Sequence, residues 1–252
     1  MDASVESSPM HSARDARHAE SSCAGSKRPP RRLLGVLAKW PRPGMVKTRL
    51  AAAVGAERAA QLAEAFLRDV VDRFANVADE RWLGFAPDND AARTWFRALS
   101  AERYTLWPQP AGGLGERIEA FFAAAASLGT VSAVLIGSDS PTLPTEFVEQ
   151  AFGLLEEHPT VLGPAEDGGY YLIGARTPLT GVLRAVRWSS EHALRDTQAA
   201  LHRAHLPPAL LPTWYDLDAA VDLQRVMSDC QAARRRGQLC PAPRTEALLM
   251  RG

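Results

Sequence analysis

A chain of 252 residues is long enough for one α/β domain with a buried core of its own. Its 29 Lys and Arg balance 29 Asp and Glu, which argues against a protein whose main task is to coat nucleic acid. The longest apolar runs, Phe121 to Ala126 and Val131 to Ile136, stop far short of the roughly 20 residues that span a bilayer. Cys23, Cys230 and Cys240 form no CxxC pair, so neither a disulfide framework nor a thiolate metal site is expected, and a cytoplasmic setting is.

Residues 1–31 mix Ser, Ala, Arg, His and Pro without apolar periodicity, so a disordered tail is predicted there. Leu33 to Ala38 reads as a first strand, followed by a long helix from Ala56 to Val77 with Leu62, Ala65, Phe66 and Val70 at helical spacing. The pattern continues with strand Arg81 to Phe85, helix Asp88 to Leu99, strand Tyr104 to Trp107, helix Leu114 to Leu128 and a buried strand Val131 to Ile136. A helix through Glu157, strands Thr160 to Leu162 and Tyr170 to Ile173, and closing helices Glu191 to Ala204 and Ala219 to Ala233 complete it. Short apolar strands alternating with amphipathic helices predict a single Rossmann-like α/β domain over residues 32–233, with a mostly parallel sheet covered by helices on both faces. Residues 234–252, with Pro241, Pro243 and a run of arginines from Arg234, are expected to fray.

Ligands of open α/β sheets sit beyond the carboxyl ends of the strands, so polar clusters that follow strands are the candidate site. Four do. After the first strand, Lys39, Arg42, Lys47 and Arg49 lie on a loop with Pro41, Pro43 and Gly44; a cationic turn leading into a helix near Lys47 and Thr48 suits polyphosphate. Val46 stands where a P-loop needs glycine, so a P-loop kinase is disfavoured. Asp139, in Gly137-Ser138-Asp139-Ser140-Pro141, is placed either to hold a hard divalent cation or to cap the turn. Glu166 and Asp167 precede Gly168 and Gly169: the glycines permit close approach of a substrate, or form a hairpin tip, and an acid beside them is a candidate general base. Asp216 and Asp218, at i and i+2 of an extended segment, point the same way and suit a shared metal, with Asp218 also a candidate helix cap.

Together with Gly113-Leu114-Gly115-Glu116-Arg117, the run Gly163 to Gly174, Trp188-Ser189 and Trp214 to Asp218, these clusters resemble the GT-A-like superfamily of nucleotide-diphospho-sugar transferases. More closely they resemble a bacterial family of domains of unassigned function labelled arsenosugar-biosynthesis-type glycosyltransferases. The resemblance runs from about Leu33 to Val226 and implies a GT-A-like fold, with Gly113 and Gly115 among the nucleotide-binding residues and Tyr170 beside the substrate. One departure is a single Asp139 where many metal-dependent glycosyltransferases carry an Asp-x-Asp pair.

The expected activity is glycosyl transfer from a nucleotide diphosphate sugar to a small-molecule acceptor, with no nucleic-acid partner and no membrane span. Lys39, Arg42, Lys47 and Arg49 would hold the diphosphate, Mg²⁺ or Mn²⁺ would sit on Asp139 with Asp216 and Asp218, and Asp167 or Glu166 would serve as base. The alternatives are a nucleotidyltransferase that joins an NTP to a phosphorylated acceptor and releases pyrophosphate, and a non-catalytic nucleotide-binding regulator. A phosphorylated acceptor would need cations beside Glu166 to Tyr171, where the chain supplies none before Arg176; Arg187 or Arg117 folding in would favour that alternative.

Overall fold

The computed structural model describes residues 31–251, so the expected tail over residues 1–31 lies, but for Arg31, outside the described residues. A seven-stranded sheet runs in the order β3-β2-β1-β4-β6-β5-β7. Its strands are β1 (Arg32–Lys39), β2 (Glu80–Ala86), β3 (Thr105–Pro108), β4 (Ser132–Gly137), β5 (Thr160–Pro164), β6 (Tyr170–Ala175) and β7 (Pro208–Leu210). All run parallel except β6, which pairs antiparallel with both β4 and β5.

Helices α1 (Thr48–Val54), α2 (Ala56–Arg73), α3 (Asp90–Ser100), α4 (Leu114–Ser127), α5 (Thr145–Leu154), α6 (Ala193–Arg203), α7 (Leu223–Arg235) and α8 (Pro243–Leu249) complete the chain, with a 3-10 turn at Ala220–Asp222 ahead of α7. The strand pleat divides β1 between two cores. Leu34, Val36 and Ala38 meet Leu67 and Val70 of α2, Phe74 just after it, Phe96 of α3 and Phe152 of α5, whereas Leu33 meets Phe121 and Phe122 of α4 and Leu201 of α6. Helices thus cover both faces of a mostly parallel sheet, as the alternating pattern predicts. No helix among the described residues is long and apolar enough to cross a membrane.

The carboxyl-terminal region departs from expectation. Residues 234–251 do not fray: α8 returns onto α2, and the segment between α7 and α8 buries Ala242 in a third core with Leu62, Phe66, Tyr215 and Leu217. Asp69 of α2, itself buried, accepts hydrogen bonds from the N–H groups of Arg244 (3.0 Å) and Thr245 (2.9 Å), satisfying two of the N–H donors that a helix leaves unpaired at its start. Cys230 of α7 and Cys240 are joined by a disulfide, which cysteine spacing did not indicate, because it is the tertiary return of α8 that brings the two sulfurs together. The short strand β7 also went unread: Pro208 and the absence of alternation hide an edge strand of three residues.

Candidate active site

A cleft of ≈ 750 Å³ opens beyond the carboxyl ends of β1 and β4 and the start of β6. All four sequence clusters contribute to its lining: Lys39, Lys47, Thr48 and Arg49; Asp139; Asp167, Gly169 and Tyr170; Asp216 and Asp218. Because β6 returns antiparallel beside β4, the loop before it meets the loop after β4, and the isolated bridge between Ala165 and Trp214 aligns the segment carrying Asp216 and Asp218 alongside.

Lys47 lies at the centre. Its Nζ is 2.7 Å from Asp218 Oδ1 and 3.1 Å from Asp139 Oδ1, with only 5% of the side chain exposed. Burial would lower its pKa, but the two carboxylates outweigh that and hold it above the ordinary lysine value. Its backbone is left-handed (φ 49°) at the start of α1, a conformation lysine rarely adopts and that clusters at functional sites. Asp216 accepts a hydrogen bond from Ser140 Oγ, and burial, reinforced by the charges of Asp139 and Asp167 and opposed by Ser140 and Lys47, pushes its pKa up to about 6. The Asp167 carboxylate is oriented by the Gly169 N–H at 2.8 Å.

Other predicted residues fall outside the lining. Glu166 is exposed and bound bidentately by Arg225 of α7 at 2.6 and 2.8 Å; that arginine holds its carboxyl below the usual range, the opposite of what a general base needs. Arg42 stacks over Trp40, 5.0 Å from the ring centroid, and Gly44 supplies only the positive φ of the loop's turn. Gly113 begins α4, its N–H donating to Glu116. Gly115 acts through a neighbour: a Cβ there would lie 2.8 Å from Nε1 of Trp188, so the missing side chain is what lets that indole reach the cleft wall. Gly168 (φ +85°) is the hairpin tip between β5 and β6, and a Cβ there would lie 2.2 Å from the Glu191 carbonyl oxygen. Tyr170, by contrast, does line the cleft, though its hydroxyl is fully buried.

Several cleft residues were not among the predicted site residues. Arg117 of α4 lines it, held by the Gly112 carbonyl (3.1 Å) and Gln109 Oε1 (3.3 Å). Gln109 in turn donates to the carbonyls of Ala38 and Gly84 at 2.9 and 2.7 Å, where β1 and β2 end. Ser189, Ser190 and Glu191, ahead of α6, close the wall beside Asp167. Arg187 does not enter: it is bidentate to Asp196 at 2.7 and 2.9 Å.

The donor set fits a hard divalent cation, which prefers carboxylate oxygens. Asp139, Asp167, Asp216 and Asp218 all line the cleft, and the pKa of Asp216, raised first by burial, is raised further by the charges of Asp139 and Asp167. Asp139 and Asp218 have Lys47 between them, and this cluster does not draw three carboxylate oxygens within 4.8 Å of one another; among the described residues only Cys230, Cys240 and Glu246 form so close a group of acidic or sulfur ligands.

Comparison with known proteins agrees with this architecture. Residues 70–190 match the bacterial family described as "Uncharacterized protein conserved in bacteria (DUF2064)". Over 168 residues the chain is 33% identical to a 3-phospho-D-glycerate guanylyltransferase of Phenylobacterium zucineum (strain HLK1), covering 63% of this chain and 76% of that protein. A solved structure from Desulfovibrio desulfuricans G20, provisionally described as a nucleotide-diphospho-sugar transferase, superposes with a TM-score of 0.75 at 30% identity, covering 88% of this chain and 97% of that one. A cytidylyltransferase from Leptospira borgpetersenii serovar Hardjo-bovis (strain JB197) shares the fold, with a TM-score of 0.53 at 11% identity over 87% of this chain and 92% of that one. The chain is therefore a transferase that belongs to the GT-A-like nucleotide-diphospho-sugar transferases, within a bacterial family of domains of unassigned function.

Proposed function

We propose that this transferase moves a glycosyl group from a nucleotide diphosphate sugar to a hydroxyl of a small acceptor. The observation that carries this reading is the polarity of the cleft. Lys39 and Arg49 flank the loop after β1 and Arg117 comes from α4, whereas Asp167, Ser189, Ser190, Glu191 and Trp188 come from the loops ahead of β6 and α6. Acids, hydroxyls and an aromatic face are partners for a sugar and a hydroxyl acceptor. A phosphorylated acceptor needs cations beside those loops, and Arg187, just ahead of Trp188, and Arg225, the partner of Glu166, are each bound bidentately to a carboxylate.

On this reading Lys39 and Arg49 grip the diphosphate by charge-assisted contacts. Asp167, held by the Gly169 N–H, takes the proton from the acceptor hydroxyl as its oxygen bonds to the sugar carbon and the bond from that carbon to the phosphate oxygen breaks. The nucleoside diphosphate leaves, and the proton passes from Asp167 to solvent. Mg²⁺ or Mn²⁺ on Asp139, Asp216 and Asp218 would supply neutralisation of the departing charge.

A second reading, guanylyl transfer to a phosphorylated acid with release of pyrophosphate, is favoured by the 33% identical guanylyltransferase and by Arg117 in the cleft. The products separate the two. Incubation with UDP-, GDP- and dTDP-sugars or NTPs, a metabolite extract and Mn²⁺ is expected to release a nucleoside diphosphate in an acceptor-dependent manner. Pyrophosphate from an NTP, with no diphosphate from any nucleotide sugar, overturns the glycosyl reading; nucleotide binding with neither product marks a regulator.

A further inference from the structure

We infer that Lys47 is a built-in placeholder cation: its ammonium occupies the position between Asp139 and Asp218 for which the divalent cation competes, and it moves onto the nucleotide's phosphates when the metal enters. The inference rests on the metal-assisted reading above and goes beyond it, since that reading assigns Lys47 no change of partner.

Three observations carry it. The Lys47 Nζ reaches one oxygen of each carboxylate, at 2.7 and 3.1 Å, with 5% of the side chain exposed; a cation with two carboxylate oxygens in its coordination sphere meets the same pair. Beneath the ammonium lies the buried Phe66 ring, its centroid 6.0 Å away, so Lys47 cannot retreat into the core and its way out is into the cleft. The cleft in that direction is lined by Lys39, Thr48 and Arg49, the candidate diphosphate cradle. The charged groups facing this point are thus Asp139 and Asp218, with Asp216 and Asp167 close enough to act on one another's charge, and Lys39 and Arg49 elsewhere in the same lining. Two cations between one pair of carboxylates repel, so metal entry and lysine departure are coupled. A phosphate that receives the released ammonium makes metal and nucleotide each favour the other's binding.

The test uses the full chain and two probes, Mn²⁺ alone and Mn²⁺ with GDP or UDP, with free Mn²⁺ read by electron paramagnetic resonance. Lys47→Gln and Lys47→Met, checked by thermal melting, are expected to bind Mn²⁺ alone about tenfold or more tighter than wild type, the scale of one charge-assisted contact. They should also lose most of the enhancement that the nucleoside diphosphate gives wild type. A second measurement needs no variant: reductive methylation of Lys47, read by peptide mass spectrometry, should accelerate several-fold when Mn²⁺ is added alone and slow again with the diphosphate. If Mn²⁺ binds wild type and variants equally, or leaves the methylation rate unchanged, the placeholder is refuted while the metal site stands. If Mn²⁺ binds neither protein, with or without the diphosphate, both fall together.

Discussion

Glu166 and Asp167 are adjacent acids with different surroundings. One side chain turns to Arg225, the other to the Gly169 N–H and the cleft, because the two residues sit in the turn that reverses the chain between β5 and β6. Asp139→Asn keeps much of the local hydrogen bonding but removes a charge that attracts a cation; turnover is expected to fall about 100-fold, a scale typical of losing one electrostatic partner of the reaction, with an unchanged melting temperature. Retained turnover, or full wild-type activity in excess chelator, would contradict metal-assisted transfer. Gly115→Val drives a side chain into the Trp188 indole, whose Nε1 is 2.8 Å from the added Cβ. The expected cost is about 1–3 kcal/mol from overpacking. Altered tryptophan emission and weaker substrate binding should accompany it, read by fluorescence and by titration with a nucleotide sugar.

At the scale of elements, the seam between α2 and α8 holds charged groups with opposite pH signatures. Asp69 is raised by burial, against the bonds it accepts from Thr245 and Arg244; the cost of burying its charge is present above its folded pKa and relieved as pH falls toward the unfolded value. Asp72 behaves conversely: partial burial raises its pKa, but hydrogen bonds from Arg103 and Arg244 outweigh that and lower it. Its contribution is therefore present above the unfolded pKa of about 3.9 and is lost as pH falls through the lower folded value. Asp72 is 38% exposed, so the contribution is about 1 kcal/mol or less. Melting wild type and Asp72→Asn side by side should show a gap at pH 7 that narrows as pH falls below about 4. Asp69→Ala removes the cap of α8 together with the bond from Thr245 Oγ1, and urea titration is expected to show a loss of about 1–3 kcal/mol.

Across the whole molecule, one nucleotide site built from segments far apart in the chain predicts that ligand and fold stabilise each other. A nucleotide sugar with Mn²⁺ at 100 times its dissociation constant adds about 2.7 kcal/mol, which for a domain of this size is a rise in melting temperature of roughly 5–10 °C. A thermal-shift screen over nucleotide sugars and NTPs checks it, and no shift with any of them would remove the cleft as a nucleotide site. Much of this architecture was legible beforehand because continuous apolar runs mark strands buried on both faces and period-3.6 patterns report which face of a helix is buried. The β1, β4 and β6 strands and helices α2 to α6 follow that rule, whereas α8 and β7 do not, being short and held by contacts from elsewhere in the chain.

The sequence by itself determined the sheet-and-helix alternation, and it located the polar clusters, because local burial patterns and turn residues are encoded where they act. Only the tertiary structure decided which members of each cluster meet. Lys47 is held between Asp139 and Asp218, 171 residues away from the latter; Arg117 enters the cleft on Gln109; Glu166 is claimed by Arg225 of a distant helix. The direction a charged side chain takes is set by the partners within a few ångströms, and those partners are fixed by strand order and helix packing rather than by neighbours in sequence.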